Sequence, residues 1–213
     1  MCYHSKQTQN ATKIEKRFKA KLADPKEKAL VTSSHWNGYD FPKTPIITNL
    51  DPGQIQLYHW GLIPSWADDE SIRQVTLNAK IETLDEKASF KEHASHRCLV
   101  LANGFYEWQW LDSKGKRKQK YEVGIEGDAP FAFAGVWSEW VDTGSGEVVH
   151  SYAIVTTEAQ HIMRDIHNTK LRMPVVLRPE QEKAWLSGDD KDNYIDTGVE
   201  LFGRTENLQL GLF

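Results

Sequence analysis

Only two cysteines, Cys2 and Cys98, occur in the 213 residues, too few for a disulfide framework and in keeping with a reducing compartment. No uninterrupted apolar stretch reaches membrane-spanning length, and the chain is polar from His4 onward, so neither a transmembrane helix nor a secretory leader is expected. Excess positive charge is also lacking. A formal net charge of −4 removes the global signature of a nucleic-acid binder, although a local patch survives such averaging. Repeats, low-complexity tracts and Pro/Gly-rich linkers are missing, which favours one domain over residues 1–213. From these absences we expect a soluble, cytoplasmic protein with no membrane contact; a monomer without a cofactor is a separate expectation that composition does not supply.

What is present suits a packed globule: 39% of residues are hydrophobic and 11% aromatic, enough to bury a core in a chain of this length. Charge is unevenly placed. Cations gather at Lys13, Lys16, Arg17, Lys19 and Lys21 and again at Lys114, Lys116, Arg117, Lys118 and Lys120, while carboxylates gather from Asp189 to Glu200. Taken alone, each run reads as a solvated face.

Periodicity predicts an α+β fold dominated by antiparallel strands with peripheral helices. Ile14, Phe18 and Leu22 recur on one helix face in a Lys/Glu/Ala-rich segment, which predicts a surface helix stopped near Asp24-Pro25. Asp51-Pro52-Gly53 marks a turn between two β-prone runs. "CLVLANGFYEWQW" and "KYEVGIEG" read as strands joined by the charged turn "LDSKGKRKQ", followed by the strands "FAFAGVWSEW" and "HSYAIVTT". Thr157 with Gln160 has the form of a capping box, predicting a helix from Glu158 to about Arg164 with His167 just past its end. Pro179 is suitably placed in the first turn of a further helix, "RPEQEKAWL".

The residue with the least ordinary position is Cys2. Removal of Met1, which the small Cys2 side chain permits, leaves an α-amine and a thiol on adjacent carbons. An unperturbed α-amine has a pKa of about 7.7–8.0, so a useful fraction is free base at neutral pH. Such an amine condenses with an aldehyde, and the neighbouring thiol closes onto the imine carbon to give a five-membered thiazolidine. The same group can instead attack an amide, as in N-terminal nucleophile hydrolases, given an oxyanion hole. Metal ligation is a third use, because Cys2-x-His4 and His93-x-x-His96-x-Cys98 contain zinc-ligand types, but the spacings match no Cys/His finger. We therefore expect no metal, and Cys98 in "RCLVLA" reads as a buried small hydrophobe.

Other polar residues sit in apolar or aromatic company. Glu107 in "NGFYEWQW" is either a surface-facing strand residue or a partly desolvated carboxyl whose pKa is raised into the range useful for proton transfer. Asn78 and Lys80 in "NAKIET" offer an amide and a cation, and His167 has the side chain that titrates near neutrality. Trp60 and Trp66 flank the loop "GLIPS", a position from which an indole can stack on a base or simply join the core.

Taken in order, "MC", "WGLIPSWA", "NAKIET", "RCLVLANGFYEW", "FAFAGVW", "YAIVTTEA" and "IHNTKLRMPVVL" resemble the SOS response-associated peptidase family of abasic-site-processing proteins, from Cys2 to about Leu177. The resemblance implies a distorted β-barrel with a positively charged groove for single-stranded DNA. It also implies covalent capture of the open-chain aldehyde of an abasic site as a thiazolidine on Cys2. By the same resemblance, Asn78 holds Cys2 and the sugar, Glu107 moves protons to and from the amine and sugar hydroxyl, and His167 assists imine formation and reversal. Lys80 and Arg172 grip flanking phosphates, and Trp66 stacks against a neighbouring base. Two features depart from the family pattern. Lys80 stands where arginine is usual, keeping the charge without the bidentate fork, and "NTKL" lengthens the spacer between His167 and Arg172. The competing expectations are an N-terminal-cysteine amidase or autopeptidase, and a noncovalent single-strand binder.

Overall fold

The computed structural model describes residues 2–205. After Cys2 the chain forms β1 (His4–Gln7) and then α1 (Ala11–Phe18). Asn10 caps α1, its side chain accepting from the Lys13 N–H at 3.0 Å, and the helix buries Ala11 and Ile14. The sequence predicts this helix to continue to Asp24-Pro25, but it stops at Phe18. Lys19 adopts a left-handed conformation (φ 53°) there, and the Glu15 carboxylate accepts from the Leu22 N–H at 3.0 Å. A helix residue thereby ties down the exit strand β2 (Lys21–Leu22), and only a single-turn 3-10 segment, Pro25–Ala29, follows.

The strands that follow are β3 (Ser33–Asn37), β4 (Lys43–Thr48), β5 (Gln54–Trp60), β6 (Asn78–Lys80), β7 (Arg97–Ala102), β8 (Gly104–Trp110), β9 (Lys118–Gly124), β10 (Phe131–Val141) and β11 (Val148–Glu158). They are succeeded by α2 (Ile162–Ile166), β12 (Arg172–Pro174), β13 (Val176–Leu177), α3 (Pro179–Leu186) and β14 (Phe202–Thr205). Strands β11, β10, β7, β4 and β5 are antiparallel neighbours, and a parallel pairing of Ser151 with His59 and Tyr152 with Trp60 joins β11 to β5. The result is a closed five-stranded barrel of mixed pairing, within the expected α+β class.

One face of each barrel strand lines the lumen. The Thr44 hydroxyl on β4 and the Tyr152 hydroxyl on β11 lie 2.6 Å apart although their strands are not neighbours, so this hydrogen bond crosses the interior. Ile46, Trp60, Cys98, Phe133 and Ile154 fill the same space, and Cys98 is the buried small residue the sequence predicts. Space is tight at Gly135, where an added Cβ would lie 2.7 Å from the Cys98 sulfur. The outward faces of these strands form a second apolar layer under α1 and α3, closed by Trp185 and Tyr194.

A second sheet, ordered β14-β9-β8-β1-β3, covers the barrel, and Cys2, Phe105 and Val123 from this side join the lumen cluster. The stretch that the sequence presents as one strand, "CLVLANGFYEWQW", is broken at Asn103 into β7 of the barrel and β8 of the cover. Asn103 is buried and grips the N-terminal arm: its Oδ1 accepts from the Thr8 N–H and its Nδ2 donates to the Thr8 hydroxyl, both at 2.9 Å.

The helix near His167 also differs from expectation. Thr157 and Glu158 remain in β11, and the Thr157 hydroxyl and Gln160 amide both donate to the Ile195 carbonyl, at 2.9 and 3.0 Å, instead of capping a helix. Helix α2 therefore starts only at Ile162, with His167 directly after its end, as the sequence places it. Helix α3 begins on Pro179 as expected, with the Gln181 side chain accepting from the Arg178 N–H at 3.0 Å.

Candidate functional site

Cys2 is fully buried where β1 enters the fold, and its carbonyl accepts a hydrogen bond from Asn78 Nδ2 at 2.8 Å. Asn78 reaches it because β6 runs parallel to β11, pairing Asn78 with Ile154 and Lys80 with Thr156. Strand alternation then buries Ala79 and puts Lys80 on the exposed side. The Cys2 thiol is within 3.7 Å of the His4 carbonyl, and burial, reinforced by the nearby Glu107 charge, raises its pKa. The group is a thiol at neutral pH, so its attack requires a proton acceptor. Met1 lies outside the described residues.

Glu107 lies on β8 with its side chain buried, and desolvation lifts its carboxyl from the ordinary 4.5 to about 7 against the opposing effect of a backbone hydrogen bond from Trp108. Of the two readings open in the sequence, the inward-facing one holds. His167 Nε2 is 3.8 Å from Glu107 Oε2, and burial lowers the imidazole to about 4, with Lys170 acting in the same direction. These shifts leave His167 neutral at neutral pH beside a carboxyl near its midpoint, so the contact is not a fixed ion pair.

The long spacer after His167 does not separate it from Arg172, because the Arg172 N–H donates to His167 Nδ1 at 3.1 Å. The intervening turn uses a left-handed Leu171 (φ 49°) and is pinned to β8. Asn168 Oδ1 accepts from the Trp110 N–H at 3.1 Å, and its Nδ2 donates to the Trp110 carbonyl at 2.9 Å.

The Arg172 side chain is engaged elsewhere. Its two Nη atoms donate to both Glu82 oxygens, at 2.6 and 2.9 Å, and one also donates to the Thr156 carbonyl at 2.7 Å. Lys80 lies close enough to Glu82 to help hold that carboxylate ionised. Trp66 stands apart on the loop after β5, 49% exposed, its indole N–H donating to the Ala88 carbonyl at 3.3 Å.

The structure thus brings Cys2 to Asn78 and near Glu107, Glu107 to His167, and Arg172 and Lys80 to Glu82. Glu82 is missing from the sequence-based set. It lies within "NAKIET", but nothing local announces its distant arginine partner. Also unannounced is the exposed His4–His35 contact, Nδ1 to Nε2 at 2.9 Å with stacked rings. Among the described residues, no three His, Cys, Asp or Glu side chains are placed to share a metal ion.

Comparison with known proteins identifies the family. The family model described as SOS response associated peptidase (SRAP) matches residues 1–207. The chain belongs to this family. Among its SRAP relatives, the abasic site processing protein YoqW of Bacillus subtilis is 39% identical over 155 residues, covering 71% of this chain and 66% of that protein. The abasic site processing protein HMCES of Xenopus tropicalis is 32% identical over 150 residues, covering 60% of this chain and 43% of that protein. The chain spans less than two thirds of the length of either. In fold, this SRAP chain is similar to a crystal structure of a protein from Bacteroides thetaiotaomicron, with a TM-score of 0.87 at 30% identity, covering 96% of this chain and 91% of the other.

Proposed function

We propose that this chain processes abasic sites in single-stranded DNA by trapping them covalently on Cys2. With Met1 removed, the Cys2 amine adds to the aldehyde carbon of the open deoxyribose, and loss of the former carbonyl oxygen as water gives an imine. The thiol sulfur then bonds to the imine carbon while its proton ends on nitrogen. The product is a thiazolidine, with one water released overall.

The single observation that carries this reading is the buried Glu107–His167 pair beside the buried Cys2. A buried carboxyl whose pKa desolvation raises suits a proton carrier for both half-steps, accepting from the amine or thiol and returning the proton to the departing hydroxyl. His167, unprotonated at Nδ1, presents its Nε2 proton towards Glu107 and the reacting centre. Asn78 fixes the Cys2 carbonyl and so the direction of the amine. Lys80 is positioned as a phosphate ligand, Arg172 becomes one on exchanging Glu82 for a phosphate, and Trp66 supplies an exposed indole for a neighbouring base.

A denaturing gel tests the proposal. The chain should form a heat-stable adduct with a single-stranded oligonucleotide containing one abasic site, little with the same lesion in a duplex, and none after Cys2→Ser. Equal adduct with Cys2→Ser would overturn the assignment. Glutamine or peptide hydrolysis without adduct would favour the amidase alternative.

A further inference from the structure

Strand β8 carries Glu107 into the site on one face and aromatic side chains on the other. Tyr106 and Trp108 are partly exposed, and Trp110, at the strand end, is 36% exposed. Opposite them on β9, Lys120 pairs with Trp108 and Lys118 with Trp110. The Lys118 ammonium sits 5.3 Å from the Trp110 ring centroid, and that of Lys120 is 4.5 Å from the Tyr106 ring. Between the strands, the turn concentrates charge: residues 110–120 hold five cations against the single carboxylate of Asp112.

Asp112 serves as the scaffold of this turn, accepting from the backbone N–H groups of Lys114, Lys116 and Arg117 at 2.9, 3.2 and 2.6 Å. Gly115, at φ 63°, lies directly on the Trp110 indole, where an added Cβ would be 2.6 Å from ring atoms. The indole is therefore held in place by the hairpin that presents the cations. Lys114, Lys116 and Lys118 are exposed and form no ion pair among the described residues.

A cleft of about 720 Å³ opens here, with Trp110, Leu111, Asp112 and Ser113 on one side and Asn168, Thr169 and Lys170 on the other; the Asp112 carboxylate in its wall is the one taken up by the N–H groups of the turn. Its second wall begins immediately after His167, and the Asn168 bonds to Trp110 join the two walls. At about 3.4 Å per residue, Trp110 lies roughly 10 Å along β8 from Glu107. A strand whose reacting nucleotide sits at Glu107 and His167 would bring its neighbours to this cleft.

We propose that the β8–β9 hairpin and this cleft form a second contact surface for single-stranded nucleic acid, with a base against Trp110 and phosphates on Lys114, Lys116, Lys118 and Lys170. The pairing of an aromatic ring with neighbouring cations is the chemistry that holds single strands without reading their sequence. It rests on the proposed function only in expecting the bound strand to be the one that carries the lesion.

The test measures fluorescence anisotropy with long oligothymidine and with a trinucleotide, across a salt titration, and, separately, adduct formation with a short and a long abasic oligonucleotide. The variants are K114Q/K116Q/K118Q, whose side chains are on an exposed turn, and Trp110→Phe and Trp110→Ala. At about 0.7 per neutralised phosphate, the triple variant should lower the salt slope for long oligothymidine by about 2 and weaken low-salt binding by roughly tenfold. Trp110→Ala should weaken it roughly fivefold or more, and Trp110→Phe less. Neither should alter trinucleotide binding or the saturated adduct rate with the short abasic oligonucleotide. Unchanged slope and affinity in the triple variant would overturn the surface, as would an equal loss for the trinucleotide. If no protein forms an adduct, the covalent reading fails, while the oligothymidine measurements still decide the surface.

Discussion

The Arg172 N–H donates to His167 Nδ1 at 3.1 Å, so the proton of the neutral imidazole resides on Nε2, 3.8 Å from the Glu107 carboxyl. One backbone bond thus selects the tautomer that can exchange a proton with the acid, and it does so across the spacer "NTKL". Local substitutions that leave this backbone bond intact should preserve the tautomer.

The two buried groups should mask each other in stability. Glu107 titrates at about 7 in the native state against 4.5 ordinarily. Between those values the unfolded chain has lost a proton that the native chain keeps, so stability falls as pH rises. His167 titrates at about 4 against 6.5; between those values the unfolded chain holds the extra proton, so stability rises with pH. Glu107→Gln should expose the histidine limb, losing up to about 3 kcal/mol as pH falls from 6.5 towards 4 relative to wild type. His167→Asn should expose the opposite limb, with stability lost as pH rises from 4.5 to 7. Urea midpoints across this range check both, and parallel profiles for all three proteins would refute the masking.

Asn78→Asp keeps the shape of the side chain but replaces the donor to the Cys2 carbonyl by an acceptor. We expect the adduct rate to fall roughly tenfold or more and stability to fall by about 1–3 kcal/mol, the cost of leaving a buried carbonyl without its donor. Single-turnover rates alongside thermal melts separate the two effects.

Glu82 and a DNA phosphate compete for the same guanidinium. Glu82→Gln should tighten binding of an undamaged single-stranded oligonucleotide severalfold, and Arg172→Ala should weaken it. With the Glu82 side chain 40% exposed but that of Arg172 only 12%, losing the pair should cost about 1–3 kcal/mol of stability, between the exposed and the buried case. Weaker DNA binding by Glu82→Gln would mean that the carboxylate orients Arg172 for the phosphate and does not compete with it.

Overpacking the barrel should destabilise the fold without touching the chemistry. Gly135→Ala places a methyl against Cys98 and Val100 and should cost about 1–3 kcal/mol. Cys98→Ala in the same chain should recover part of that loss. The adduct rate of folded protein should stay at the wild-type value in both, as urea titration and single-turnover assays would show.

Much of this fold is legible in the sequence where a single rule governs a segment. The strands "FAFAGVWSEW" and "HSYAIVTT" and the helix beginning at Pro179 form because β-prone composition and a first-turn proline leave little competition. Prediction fails where a tertiary contact outweighs a local one. Lys19 ends α1 in a left-handed conformation that its side chain does not advertise, and Ile195 draws off the Thr157 and Gln160 groups that look like a cap. Asn103 turns one apparent strand into two because its partner, Thr8, lies far back in the chain. At the site, Cys2 stands out by position alone, whereas choosing His167 among eight histidines needs the family resemblance. The Glu82–Arg172 pair joins residues 90 apart in sequence, a contact no local pattern encodes.

The most direct test of the covalent account is the intact mass of protein lacking Met1, before and after mixing with a single-stranded abasic oligonucleotide and then treating with borohydride. The account predicts an adduct equal to protein plus DNA minus one water, unchanged by borohydride because the ring has no C=N bond to reduce, and absent with Cys2→Ser. An adduct that gains two hydrogens on reduction would be an open imine, and no adduct at all from Met1-free protein would contradict covalent capture by Cys2.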